Sequence, residues 1–165
     1  MTVYTRAPLA SAAVQTTSAE QTRAFAAALA AVAEPGDRIA LLGPLGAGKT
    51  QFAKGFAAGL GVRDIVNSPS FTLMSEYAGR LPLFHQDLYR LNGADDVFGG
   101  GLVDDRQEVG VTLIEWGERL PRKLDARRLA VTIEVGRDDE RTITVSATHP
   151  SQGRYVRVAG AWSGQ

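Results

Sequence analysis

Cysteine is absent from the 165 residues, which excludes disulfides, thiolate nucleophiles and cysteine-ligated zinc or iron–sulfur centres. Histidine is scarce: His85 and His149 are the only two, too few for a histidine metal cage. Net charge is missing as well, since eighteen basic residues cancel eighteen acidic ones. No bulk field therefore draws the chain to nucleic acid or anionic lipid, and an RNA partner would have to be met through a local patch. Nor is there a long apolar run. The alanine-rich stretch from Ala24 to Ala33, closely flanked by Arg23 and Glu34, is too short to span a bilayer. The opening Met1-Thr2-Val3-Tyr4 begins no charged segment followed by an apolar one, so no signal peptide is read there. The expectation is a cytoplasmic chain without membrane attachment. What is present, 44% hydrophobic and 22% charged residues, is the balance of one ordinary globular domain.

Residues 1–16, rich in Ala, Ser and Thr, read as a loosely ordered tail. Residues 17–149 read as one domain, and 150–165 as a C-terminal extension with no assignable role. Ser18 followed by Gln21, or Thr17 followed by Glu20, forms a capping-box pattern, after which Phe25, Leu29 and Val32 recur at helical spacing until Glu34-Pro35-Gly36-Asp37. Arg38 to Leu42 is a short apolar run of buried-strand type. A glycine loop follows, then a helix over Gln51 to Leu60 with Phe52, Phe56 and Leu60 four apart, closed by Gly59 and Gly61. Thr72 to Tyr77 and Leu81 to Leu88 read as strands around Ala78-Gly79-Arg80, Asp95 to Phe98 as the opening of a short helix, and Gly110 to Glu115 as a further buried strand. Val131, Ile133 and Val135, then Ile143 and Val145, alternate with polar residues and predict a hairpin around Asp138-Asp139, read as structural. Strands alternating with helices, then antiparallel pairing, predict an α/β class: a single three-layer domain with a mixed, partly antiparallel sheet.

Gly43-Pro44-Leu45-Gly46-Ala47-Gly48-Lys49-Thr50 matches G-x-x-x-x-G-K-[ST] between a predicted strand and a predicted helix, where a P-loop (Walker A) must sit. Glycines let backbone N–H groups close around phosphate oxygens, and the helix N-terminus favours the anion. Lys49 reaches the outer phosphates, and the Thr50 hydroxyl binds Mg²⁺. Such a site also needs a strand-end carboxylate for the magnesium and a group to place the attacking water. Asp87 and Glu115 each end a mostly apolar run, and the pattern alone leaves open which is the Walker-B-type acid. His85 shares a face with Asp87 on an ideal strand, either as a structural or as a functional residue. Ser68-Pro69-Ser70-Phe71 lies between loop and acid, and reads first as an ordinary serine–proline turn and second as a place where a hydroxyl senses the γ-phosphate.

Gly43 to Thr50, Ser68 to Leu73, His85-Gln86-Asp87-Leu88-Tyr89-Arg90-Leu91 and Ile114-Glu115-Trp116, in this order and spacing, resemble the TsaE family, also known as YjeE, from about Thr17 to about Ala147. The resemblance implies a small bacterial P-loop ATPase of tRNA threonylcarbamoyladenosine biosynthesis that uses ATP and Mg²⁺. Turnover alone is expected to be slow, because no arginine finger lies close to the P-loop in sequence. The resemblance further implies that the ATPase binds the TsaB–TsaD complex, supports its turnover, and meets tRNA indirectly through that complex. It also implies roles. Lys49 would bind phosphate, Thr50 and Asp87 magnesium, Glu115 would serve hydrolysis and the metal, and Trp116 would lie near the nucleotide. Gly43, Leu45, Gly46, Ala47, Gly48, Gln51 and Ser70 would complete the nucleotide contacts. The chain departs from the family pattern at Pro44, usually Asp, at Ser70, usually Thr, and at Gln51, often Thr. Pro44 stiffens the loop and removes one N–H, while Ser70 keeps a hydroxyl.

Three other readings share the same loop. A small-molecule kinase would need an arginine-bearing lid, and the stretch from Ala94 to Arg106 is acidic. A GTPase would need an Asn/Thr-Lys-x-Asp element, and Arg122-Lys123-Leu124-Asp125 has the wrong first residue, while Asp96-Val97-Phe98-Gly99 follows no apolar strand. A nucleotide-gated binding module without turnover would carry the same residues and differ only in activity.

Overall fold

The computed structural model describes residues 8–67, 69, 74–88, 105–116 and 128–164. Helix α1 (Ala19–Ala30) starts where expected: the Ser18 side chain accepts from the Gln21 N–H. The box is displaced by one residue, because the Gln21 side-chain oxygen accepts from the N–H and hydroxyl of Thr17 at 2.7 and 3.0 Å. Its buried residues Thr22, Phe25, Ala26, Leu29 and Ala30 form one helical stripe. Strand β2 (Arg38–Leu42) leads through the glycine loop into α2 (Lys49–Gly59), which begins two residues before the sequence pattern placed it. Strands β3 (Met74–Tyr77) and β4 (Leu83–Asp87) form an antiparallel pair. Strand β5 (Val111–Glu115) follows a 3-10 turn, and β6 (Leu129–Val135) and β7 (Arg141–Ala147) form the expected hairpin.

The chain makes a seven-stranded sheet of order β1-β7-β6-β2-β5-β4-β3. Its centre is parallel: β2 pairs with β5 and β6, and β4 with β5. The flanks are antiparallel, so the class is α/β with a mixed sheet, as the alternation of elements implied. The core lies between one sheet face and the helices, where Phe25, Phe52 and Phe56 meet Ile39, Leu41, Leu113, Val131 and Val145. Ala40, Thr112 and Ile114, which alternate with these along β2 and β5, are buried too, as is Phe84 beside the core residue Leu83 on β4, so the central strands are covered on both faces.

Two elements correct the domain boundaries expected from sequence. Ala10–Thr16, expected as part of a loose tail, is edge strand β1, paired antiparallel with β7 along its whole length. Val14 and Thr16 point inward, but the small residues Ala10 to Ala13 before them give a weak two-residue period. The C-terminal stretch is likewise built into the domain: α3 (Gly153–Ala161) buries Tyr155 and Ala159. It packs on β1, β7 and α1, and Trp162 meets the Phe25 ring edge-on, 5.3 Å between centroids. The two glycines of α2 bring it against α1. A Cβ at Gly55 would lie 2.2 Å from the Arg23 carbonyl oxygen, and one at Gly59 2.6 Å from that of Ala27. Their spacing of four puts both on one helix face. The expected helix at Asp95–Phe98, the segments Asp96–Gly99 and Arg122–Asp125, and residues 1–7 lie outside the described residues.

Candidate functional site

The carboxyl ends of β2, β4 and β5 meet the amino end of α2, which is where open α/β sheets bind ligands. The loop from Gly43 to Gly48 turns on positive φ angles, 151° at Gly43, 81° at Gly46 and 108° at Gly48, a region that side-chain-bearing residues seldom enter. Gly43 is also pressed against β6, since a Cβ there would lie 2.6 Å from the Ile133 carbonyl oxygen. Pro44 and Gly46 are exposed and Ala47 is buried, while the Leu45 side chain is 83% exposed, so Leu45 offers the loop its backbone rather than its side chain. Gly48 caps α2 with no side-chain bond, which leaves the first turn of the helix to backbone N–H groups.

Lys49 is 5% exposed. Its ammonium donates to the Gly43 carbonyl at 2.5 Å and sits 3.4 Å above the centroid of the Trp116 ring, a cation–π contact. Trp116 holds φ at 61°, rare for a bulky residue and the kind of strain that gathers at functional sites. Glu115, the last residue of β5, is 3% exposed. One carboxylate oxygen lies 2.6 Å from His85 Nε2, and the other accepts from the Thr50 hydroxyl at 3.4 Å. His85 is fully buried, and its Nδ1 has no hydrogen-bond partner among the described residues. A carboxylate oxygen only accepts, so Nε2 is the ring nitrogen that donates to Glu115. Asp87 ends β4 as the parallel-register partner of Glu115 and is half-buried.

Lys49, Thr50, Asp87, Glu115 and Trp116, predicted from three separate stretches of sequence, thus converge at one end of the sheet. Gln51 does not join them through its side chain, whose oxygen accepts from Arg23 at 2.5 Å. Ser68 and Ser70 lie outside the described residues, as do Tyr89, Arg90 and Leu91. His85 is now seen to touch Glu115 rather than merely to share a face with Asp87.

A family model described as "Threonylcarbamoyl adenosine biosynthesis protein TsaE" matches residues 16–143. The chain belongs to the TsaE family. This TsaE-family chain is similar to the tRNA threonylcarbamoyladenosine biosynthesis protein TsaE of Bacillus subtilis (strain 168), 46% identical over 140 residues that cover 81% of this chain and 84% of the relative. It is also similar to the protein of the same name from Treponema pallidum (strain Nichols), 40% identical over 129 residues, or 78% of this chain and 96% of that one. Among solved structures it matches the crystal structure of Bacillus subtilis YdiB, with a TM-score of 0.72 and 41% identity over 90% of this chain and 91% of the other.

One residue beside the loop is not visible in the sequence pattern. Arg141, the first residue of β7, donates through Nε to the Ala47 carbonyl at 2.9 Å and reaches the Gly46 carbonyl at 3.5 Å. No motif marks it in this TsaE-family chain, because its acceptors are main-chain oxygens 94 and 95 positions away.

Proposed function

We propose that this chain is the P-loop ATPase of tRNA threonylcarbamoyladenosine biosynthesis: it binds ATP with Mg²⁺ on the Gly43–Thr50 loop, and hydrolysis supports turnover of a TsaB–TsaD complex that acts on tRNA in the cytoplasm. The names of its relatives support the pathway. The observation that carries the chemistry is Glu115, a buried carboxylate braced by His85 on one oxygen and touched by the Thr50 hydroxyl on the other.

The residues fit a nucleotide with magnesium. Thr50, Asp87 and Glu115 offer hard oxygen ligands, and no group of three His, Cys, Asp or Glu residues among the described residues forms a cage of its own. That suits Mg²⁺, which keeps waters and takes phosphate oxygens rather than an all-protein shell. When bound, the magnesium–nucleotide would supply the phosphoryl group and a cation that offsets its charge. Lys49 would exchange the Gly43 carbonyl for phosphate oxygen. Thr50 and Asp87 would hold the metal side of the site, and Glu115 would orient the attacking water. Trp116, beside Lys49, would help keep bulk water out.

The test is phosphate release from ATP and from GTP with Mg²⁺, with and without purified TsaB–TsaD and tRNA, alongside threonylcarbamoyl incorporation into that tRNA. The expected result is slow ATP-selective turnover that rises with the complex and is lost in Lys49→Ala. Hydrolysis indifferent to the complex, with no effect on tRNA modification, would instead favour a metabolite kinase or a nucleotide-gated module.

A further inference from the structure

Among the described residues Arg141 makes four hydrogen bonds, and every acceptor is a main-chain carbonyl. Nη1 donates to Asp138 at 3.0 Å and to Glu140 at 2.8 Å, both in the β6–β7 turn. Nε donates to Ala47 at 2.9 Å and Nη2 more loosely to Gly46 at 3.5 Å, both in the glycine loop. No ion pair involves this guanidinium among the described residues. One planar fork therefore ties the hairpin turn to the loop, and its charge is not spent on a carboxylate. The same hairpin touches the loop a second time, where the Ile133 carbonyl abuts Gly43.

The consequence lies in peptide geometry. In a trans peptide the C=O and the following N–H point in opposite directions. A carbonyl of Gly46 turned toward Arg141 sends the Ala47 N–H the other way, and that N–H does donate across the loop, to the Pro44 carbonyl at 3.1 Å. By the same rule the carbonyl of Ala47, held by Nε, turns the Gly48 N–H away from Arg141. Two successive carbonyls are thus held toward Arg141, while the Ala47 N–H closes the turn to Pro44 and the Gly48 N–H faces away from the guanidinium. An anion entering the loop would then not meet the lone pairs of these two oxygens. Without the fork, either peptide could rotate and present an oxygen to the phosphates.

We infer that Arg141 is a positioning residue for the nucleotide: it holds the Gly46 and Ala47 carbonyls on itself and so keeps both peptides in the orientation that turns no oxygen to the phosphates. This rests on the reading that Gly43–Thr50 binds ATP. A cation alone would not suffice, because an ammonium lacks the planar array that reaches hairpin and loop together.

The experiment measures the Kd of a fluorescent ATP analogue with Mg²⁺, together with kcat and KM for ATP, in wild type, Arg141→Met and Arg141→Lys. Both variants are expected to keep the far-UV spectrum, to bind about tenfold more weakly with KM raised in step, and to keep kcat within about twofold. Arg141→Gln, which keeps one planar donor, is expected to fall between them and wild type, and it serves if the larger changes unfold the chain. Unchanged affinity in Arg141→Met, full rescue by Arg141→Lys, or a fall in kcat alone would overturn the inference while leaving ATP binding intact. Wild type that binds no analogue would overturn the underlying reading, and the inference with it.

Discussion

His85 has one ring nitrogen on Glu115 and the other buried without a partner among the described residues, an arrangement that serves the carboxylate rather than the histidine. Removing the ring would leave Glu115 buried with a lost donor, and hydrogen bonds to charged groups contribute about 1.5–3 kcal/mol. His85→Ala is therefore expected to lower kcat at least tenfold with a smaller change in ATP affinity. His85→Gln, which carries an N–H donor at similar reach, is expected to recover part of it. Steady-state kinetics beside a nucleotide titration would separate the two, and a loss confined to affinity would show that His85 shapes the pocket rather than Glu115. The strand alternation of β4 put His85 and Asp87 on one face, so that much was legible; the partner lay 30 residues away on β5 and was not. Arg141 left no trace in sequence, since carbonyl acceptors are present at every residue.

Helix α2 is legible almost to its ends, because a strand, a glycine loop and a four-residue aromatic period are all local signals. Its contact with α1 was less so. Gly55 reads as an ordinary weak helix former, yet a Cβ there would lie 2.2 Å from the Arg23 carbonyl oxygen and 2.4 Å from its Cα. Backbone cannot step aside as a flexible side chain can, so Gly55→Ala is expected to cost about 2–3 kcal/mol despite alanine's higher helix propensity. Chemical denaturation against wild type measures it, and a neutral or stabilising result would show that the two helices can part. Helix α3 is tied by polar bonds: Tyr155 donates its hydroxyl to Asp37, which Arg154 also engages. Burial first, and then the Asp37 carboxylate, push the Tyr155 hydroxyl well above its ordinary value of 10.0. A raised folded-state value contributes stability that is complete below the unfolded value and lost as pH climbs toward the folded one. Wild type should therefore lose stability as pH rises past about 10. Tyr155→Phe should be about 1–2 kcal/mol less stable at neutral pH and show a shallower alkaline decline, read from urea midpoints between neutral and alkaline pH.

Across the whole molecule, what sequence could not convey is order. β2 lies between β5 and β6, strands about 70 and 90 residues later, and no local pattern encodes such pairings. The class and the central strands were readable because buried parallel strands are apolar runs. β1 was hidden by its small residues, and α3 by lying outside every motif. These two pieces cover one flank: α3 packs on β1 and β7, with Tyr155 and Trp162 as its large anchors. At about 1.5–3 kcal/mol for each large side chain buried, truncation after Ala147 should cost about 3–6 kcal/mol, a large share of a typical 5–15. A cooperative thermal transition close to that of the full chain would show that the flank stands without its helix.

The stacking of Lys49 on Trp116 also gives the protein an optical signature. Any ligand that draws the ammonium off the ring alters the field felt by one of the chain's two indoles. The other, Trp162, is seated against Phe25 on a different part of the domain and stays as an internal standard. With Trp162→Phe, emission from the remaining indole becomes a direct gauge of where the lysine is, so occupancy can be followed in real time on the unlabelled chain.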